Sequence, residues 1–146
     1  MKEPITFLRF YVDPAWRRVQ DVPSTLLFPF WGNAIPESAS FSKEFFDSFS
    51  FDTHFYGITS DITKADVVLA PYRQSTLMRR DPALLAECAE TAQRAGLPLF
   101  VDGLGDGETP LGIANAYVMR YGGYRFLGEE HRNVTLPQHL RWQPSR

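Results

Sequence analysis

Six polar residues directly follow three apolar runs of the chain, where their side chains could bind a ligand. They are Tyr72, Arg73 and Gln74 after the first run, Asp102 after the second, and Arg120 and Tyr121 at the end of the third. Because ligands of open parallel sheets bind beyond the carboxyl ends of the strands, we expect these side chains to lie at one rim. Guanidinium and carboxylate groups form hydrogen bonds with hydroxyls and ions of opposite charge. The pattern therefore predicts a site for a polyhydroxylated or anionic ligand.

A glycine-rich segment, DGLGDGE at residues 102–108, continues from the second of these runs. Its first two glycines begin a dinucleotide-binding fingerprint, but Glu108 stands where the third glycine is needed, and no P-loop lysine follows. Three carboxylates would also repel a diphosphate. The segment therefore favours a loop that contributes a carboxylate base, with Asp102 as the catalytic candidate and Asp106 and Glu108 as alternatives.

The pattern of histidine and cysteine does not indicate a metal site or a cofactor. His54, His131 and His139 are scattered, and no pair of them has the spacing of metal ligands on one element. The single cysteine, Cys88, excludes an internal disulfide and falls on the apolar face of a predicted helix. We therefore expect a buried, inert thiol.

The elements that must position the polar residues include one clear strand–helix–strand unit. Residues 67–70 form a short apolar run that predicts a strand buried on both faces. The following helix is expected to begin after Asp81, with Pro82 at its first position, and to end at Gly96 in a left-handed conformation. Residues 97–101 predict the next strand, parallel to the first.

The amino-terminal half predicts two strands and one helix around an irregular segment. Residues 5–12 and 55–58 are strand-like, whereas 13–37 is expected to be loop apart from a strand-like stretch at 25–28. Four phenylalanines at helical spacing predict a helix with Ser40 or Ser42 as its N-cap. We expect their side chains to lie on one face and to belong to the core: Phe41, Phe45, Phe46 and Phe49. With a further strand at 116–121, the pattern is typical of an α/β, Rossmann-like parallel sheet flanked by helices in three layers.

Length and charge indicate one globular domain. The chain has 146 residues and a formal net charge of −2, which argues against binding to nucleic acid. It has no apolar run long enough to span a bilayer and no signal-peptide pattern, so we expect a cytoplasmic protein. We assign residues 1–137 to a single Rossmann-like domain and residues 138–146 to a polar tail or the start of an interdomain linker.

Two stretches of the chain resemble the exostosin-like glycosyltransferases. Ala65-Asp66, four apolar residues and then Pro71-Tyr72 are similar to a strand motif of that family. A second set of positions is similar to a stretch of its bacterial members that introduces a second domain: Ile113, Asn115, Arg120, Tyr124, Asn133, Leu136 and Pro137. The resemblance covers residues 56–137, and it departs from the family pattern at Tyr121-Gly122 and Val134.

This resemblance implies the acceptor-side half of a two-domain GT-B enzyme, which transfers a sugar from a nucleotide-sugar donor to a saccharide acceptor. The second, nucleotide-sugar-binding domain would be a partner not present in this chain. Tyr72, Arg73, Gln74, Arg120 and Tyr124 would bind the acceptor, and the chain alone is expected to be inactive. Two alternatives stay open: a free-standing Rossmann-like binding module without catalysis, and a nucleotide-dependent enzyme that uses the glycine-rich loop.

Overall fold

Six strands form one all-parallel sheet in the computed structural model, which describes residues 7–48, 54–103, 111–120 and 133–135. The strands are β1 (Leu8–Tyr11), β2 (Tyr56–Thr59), β3 (Val67–Leu69), β4 (Leu99–Asp102), β5 (Ala116–Arg120) and β6 (Asn133–Thr135). Their order across the sheet is β2-β1-β3-β4-β5-β6, and every neighbouring pair is parallel. The predicted α/β class with a Rossmann-like parallel sheet and flanking helices is confirmed.

Four α-helices connect and cover the described strands. They are α1 (Phe28–Trp31), α2 (Ser40–Asp47), α3 (Gln74–Arg80) and α4 (Pro82–Ala95). Short 3₁₀ turns occur at Pro14–Trp16, Thr25–Leu27, Glu37–Ala39 and Ile62–Lys64. Within the residues that the structure describes, no helix is both long enough and apolar enough to cross a bilayer.

The predicted strand–helix–strand unit is β3, α4 and β4. The carboxylate of Asp81 accepts a hydrogen bond from the backbone N–H of Leu84 at 3.0 Å, and Pro82 opens the helix. Gly96 ends α4 with a φ of 68°, the left-handed conformation that glycine adopts at little cost. These local signals lie within a few residues of the helix ends, and the predicted boundaries of α4 are confirmed.

The hydrophobic core lies between α4 and the centre of the sheet. Val68 and Leu69 of β3 are fully buried, as is Leu84 on the inner face of α4. Cys88 occupies the next turn of that face and is also fully buried. Burial of each large aliphatic side chain contributes roughly 1.5–3 kcal/mol, so this layer holds β3 and β4 in place.

The segment that was expected to be a strand at residues 25–28 is helical. Thr25–Leu27 forms a 3₁₀ turn and Phe28–Trp31 forms α1, so the expected loop is also wrong at residues 30 and 31, whereas residues 32 and 33 lie outside helices and strands as expected. Pro29 falls in the first turn of α1, where its missing N–H is tolerated. The N–H of Thr25 donates to the carboxylate of Asp102 instead of to a neighbouring strand.

The helix with the phenylalanine stripe is present as α2, but its stripe is not core. Phe41 is 63% exposed, and Phe45 and Phe46 are half-buried; Phe49 lies outside the described residues. Phe46 packs edge-on against Phe28 at a centroid distance of 5.5 Å, so α2 packs on α1. The N-cap position is Ala39, not one of the two expected serines.

Helix α3 was not predicted. It begins at Gln74, directly after Arg73 in the N-cap position, which makes no side-chain capping bond. A helix of seven residues without a capping side chain carries little sequence signal. The proposed tail at residues 138–146 lies outside the described residues.

Candidate functional site

The strand order places the topological switch point between β1 and β3. The chain passes from β1 to β2 on one side and then to β3 on the other side of β1. In open parallel sheets, the crevice outside the carboxyl ends of two such strands is where ligands bind. The ends of β1, β2 and β3 therefore define the place to look for a site.

Two adjoining cavities lie at these strand ends. The first, of about 380 Å³, includes Val12 after β1 and Thr59 at the end of β2. The second, of about 530 Å³, includes Tyr72 after β3 and Asp21. Because Arg17 and Trp31 line both cavities, we treat the two as one site, the switch-point cleft, with these main lining residues: Val12, Arg17, Asp21, Trp31, Thr59 and Tyr72.

The side chains of Arg17 and Trp31, which line both cavities of the switch-point cleft, form a stacked pair. The guanidinium carbon of Arg17 lies 5.0 Å from the centroid of the Trp31 ring. Its Nη2 also donates a hydrogen bond to the backbone oxygen of Trp31 at 3.1 Å. Stacking on the ring face and this bond hold the guanidinium in one orientation.

A set of polar contacts fixes the segment that carries Arg17. The indole N–H of Trp16 donates to Glu87 on α4 at 3.1 Å. Arg18 binds Asp81 at 2.9 Å and Glu87 at 3.2 Å. The hydrogen bond to Asp81 raises the pKa of Arg18, and the same bond lowers the pKa of Asp81. Arg17 therefore lies between two residues that are tied to α4.

A second set of contacts fixes the segment that leads to Trp31. The backbone N–H of Ser24 donates to the oxygen of Pro71 at 2.8 Å, and Pro23 forms an isolated bridge with Tyr72. The Oδ2 atom of Asp102 accepts from the N–H of Thr25 at 3.2 Å, from the Thr25 hydroxyl at 3.4 Å and from the Ser24 hydroxyl at 3.3 Å. Residues 23–25 thus cover the carboxyl ends of β3 and β4, while the ends of β1 and β2 border a cavity.

Among the predicted site residues, Tyr72 lines the switch-point cleft. Its ring is only 2% exposed and meets Trp31 edge-on at a centroid distance of 6.4 Å. Its hydroxyl accepts a hydrogen bond from the backbone N–H of Val19 at 3.2 Å. Tyr72 therefore forms a wall of the cleft and also supports the segment that carries Arg17.

Arg73 and Gln74 differ in their surroundings although they are adjacent. Gln74 is 5% exposed, and its amide nitrogen lies 3.6 Å from the sulfur of Met78. The Nε atom of Arg73 is buried and has no hydrogen-bond partner in the part of the chain that the structure describes. A buried donor on a charged group normally has an acceptor, so Arg73 stays a candidate for ligand binding.

The side chain of Asp102 is fully buried at the end of β4. Its partner in the sheet register is Met119, and Arg120 follows at the end of β5. The carboxyl ends of these strands are neighbours, as predicted. The other predicted site residues lie outside the described residues: Tyr121, Tyr124, Asp106 and Glu108.

The sequence did not indicate Arg17 or Trp31 as site residues. Both lie in the segment that was expected to be irregular, where no periodic pattern marks them. The sequence does show that Arg17 follows the first strand. That position indicates a site only when the strand order, which places β1 at the switch point, is also known. Aromatic and arginine side chains together are typical of binding sites.

A further cavity of about 680 Å³ lies beside α4, near the amino ends of β4 and β5. Leu85, Ala89 and Ile113 contribute apolar surface to it. It lies at the amino ends of the strands, whereas ligands of open parallel sheets bind beyond the carboxyl ends, so its position does not favour it as the site. Within the described ranges, no group of three His, Cys, Asp or Glu residues is arranged to hold a metal ion.

The cleft can thus bind a ligand through hydrogen bonds and stacking. It combines the Arg17 guanidinium and the Asp21 carboxylate with aromatic walls. Comparisons with known proteins do not identify its ligand, because no protein-family model, curated protein or solved structure matches this chain.

Proposed function

We propose that this chain is the acceptor-side domain of a glycosyltransferase and that its saccharide acceptor binds in the switch-point cleft. The observation that carries this proposal is the position of the cleft, at the carboxyl ends of β1 and β2 and beside Tyr72, which follows β3. A Rossmann-like sheet presents its ligands at this edge. The resemblance of residues 56–137 to exostosin-like glycosyltransferases supplies the reaction class.

The size and lining of the cleft support a saccharide ligand. Its cavities of about 380 and 530 Å³ are in the range of small-molecule sites. Trp31 supplies apolar surface for the carbon face of a sugar ring, while Arg17 and Asp21 supply a donor and an acceptor for its hydroxyls. A purely apolar pocket would not match the hydroxyls of a sugar.

The proposed reaction needs a second, nucleotide-sugar-binding domain as a partner. Holding two substrates in one geometry contributes roughly 7–11 kcal/mol of barrier reduction in well-oriented cases. The switch-point cleft holds one substrate, so we expect this chain alone to bind the acceptor without turnover. The roles of Asp102, Arg73, Gln74, Arg120 and Tyr124 in catalysis or acceptor binding rest on the sequence alone, since the first three do not line the cleft and Asp102 is buried under residues 23–25. A cytoplasmic location is part of the same proposal.

A titration followed by NMR tests this function. Oligosaccharides and UDP- or GDP-sugars are added separately to isotope-labelled protein, and shift changes are mapped onto the chain. We expect saccharide binding with a Kd on the order of millimolar, because an open cleft encloses a ligand on one side only, and shifts centred on Arg17 and Trp31. Micromolar binding of a nucleotide sugar, with shifts at residues 102–108, would contradict the proposal and favour a nucleotide-dependent enzyme.

Matched aromatic variants make the titration specific. Trp31→Leu removes the indole ring but keeps an apolar side chain, and it should weaken saccharide binding. Tyr117→Leu is the control, because Tyr117 is an exposed aromatic residue of β5 that does not line the cleft. Equal loss of affinity in both variants would mean that the saccharide does not bind at the switch point.

A further inference from the structure

Arg17 differs from the arginines near it in having no carboxylate partner within the described part of the chain. Arg18 pairs with Asp81 and Glu87, and Arg79 and Arg80 both lie within 4 Å of Asp21, at 3.7 and 3.8 Å. The described partners of the Arg17 side chain are the ring of Trp31 and a backbone oxygen. Among the described residues, its positive charge therefore has no carboxylate within ion-pair distance.

The contacts of Arg17 orient the guanidinium but leave most of its donors for another partner. A guanidinium has five N–H donors in one plane, and one of them is used in the bond to Trp31. The planar group matches the two oxygens of a carboxylate or a phosphate. Since the indole holds this plane in place, less side-chain entropy is lost when an anion binds.

Arg73 adds an independent observation at the end of the neighbouring strand. It follows Tyr72, which lines the switch-point cleft, and its Nε atom is buried without a hydrogen-bond partner among the described residues. Arg73 also has no ion pair with a described carboxylate. Two arginines without acidic partners among the described residues thus follow the strands that flank the switch point: Arg17 lines the cleft, whereas Arg73 lies next to a lining residue.

We propose that the ligand of the switch-point cleft carries an anionic group, a carboxylate or a phosphate, which is bound by the guanidinium of Arg17 on Trp31. This inference rests on the proposed function, because it specifies the acceptor as an acidic saccharide such as a uronate or a sugar phosphate. Asp21 is the carboxylate that lines the cleft, and its contacts with Arg79 and Arg80 offset its repulsion of the anion.

The test compares ligands that differ only in charge. A neutral disaccharide, the corresponding uronic-acid disaccharide, a sugar phosphate and inorganic phosphate are titrated against the protein by NMR. We expect an acidic saccharide to bind about three- to fivefold more tightly than the neutral one, because a charge-assisted hydrogen bond is stronger than a neutral one but is screened by water at the exposed Arg17. Whichever of the two acidic saccharides binds with the higher affinity shows whether the site prefers a carboxylate or a phosphate.

Two arginine variants provide the matched comparison. Arg17→Gln should make the acidic and the neutral saccharide bind equally, because the charged partner of the anion is gone, and Arg17→Lys should restore only part of the preference, since lysine lacks the planar fork. Arg9→Gln is the control, because Arg9 also stacks on an aromatic ring, Phe7, at 5.4 Å but lies outside the cleft. Because Arg9 and Arg17 are both exposed, we expect these variants to fold like the wild type, and an unchanged midpoint of urea denaturation checks this.

The outcomes separate the two proposals. Equal binding of neutral and acidic saccharides, or a preference that survives Arg17→Gln, would overturn the anion site while saccharide binding stands. Binding of inorganic phosphate that Arg17→Gln abolishes, without binding of any saccharide, would support the anion site and contradict the glycosyltransferase assignment.

Discussion

Replacing Asp102 with alanine removes the acceptor that holds residues 24 and 25 on the end of β4. The Oδ2 atom of Asp102 accepts from the backbone N–H of Thr25 at 3.2 Å and from the hydroxyls of Thr25 and Ser24 at 3.4 and 3.3 Å. All three residues are buried, and Asp102 is not exposed at all. Their donors therefore cannot turn to bulk water when the carboxylate is removed, and we expect a clear loss of stability.

The size of the loss follows from the type of each bond. The hydrogen bond from the Thr25 N–H to a charged acceptor contributes roughly 1.5–3 kcal/mol, and each of the longer hydroxyl bonds contributes about 0.5 kcal/mol. The cost of burying the carboxylate in the wild type offsets part of this sum. We therefore expect Asp102→Ala to lower the free energy of unfolding by about 2–4 kcal/mol.

Urea denaturation measures this loss, and two variants serve as controls. Asp102→Asn keeps an acceptor and the side-chain volume, so its loss should be smaller than that of alanine. Asp66→Ala removes a carboxylate that accepts from the N–H of Arg9 at 2.9 Å at a more exposed position, and it should cost below about 1 kcal/mol. An Asp102→Ala protein within 0.5 kcal/mol of wild type would refute the anchoring role. A stable Asp102→Asn variant that abolished transfer in a complete enzyme would support the predicted catalytic role.

Three further changes test local features of the fold. Gly96→Val should cost about 1 kcal/mol or more in urea denaturation, because the φ of 68° at the end of α4 is unfavourable for a β-branched residue, and unchanged stability would contradict the assigned cap. Cys88 should react slowly with a thiol reagent in the native protein and quickly in urea. Burial raises the pKa of the Cys88 thiol, so stability should fall as pH rises above the ordinary value of 9.0, and rapid native labelling would refute the burial. The hydrogen bond from Arg18 lowers the pKa of Asp81, so the ion pair stabilises the protein above the ordinary pKa of 3.8, and this stability is lost as pH falls below that value. Arg18→Gln should therefore make the free energy of unfolding depend less on pH in the acid range. An unchanged pH profile would argue against the pair.

The parts of the fold with local sequence signals were predicted well. Asp81, Pro82 and Gly96 mark the ends of α4 within two residues of the helix, and each acts through its own backbone geometry. Val68 and Leu69 belong to an uninterrupted apolar run, which is typical of a strand covered on both faces. In such cases the interactions that define the element lie close together in the chain.

The parts that depend on distant partners were not predicted. The helical turn at Thr25–Leu27 is held by Asp102, which lies 77 residues after Thr25, so the local sequence suggested a strand instead. Arg17 became a candidate only when the structure placed it on Trp31, 14 residues away, at a switch point defined by the strand order. Phe41 has the spacing of a core residue, yet α2 rests on α1 at the edge of the fold and leaves this ring exposed.

Intermolecular NOEs between a bound saccharide and the protein test the central claim most directly, because they distinguish the switch-point cleft from the cavity beside α4. We expect NOEs from the sugar protons to the indole of Trp31 and the side chain of Val12, which line the switch-point cleft. NOEs to Leu85 and Ile113 instead, in the cavity beside α4, would place the ligand at the opposite edge of the sheet and contradict the switch-point site.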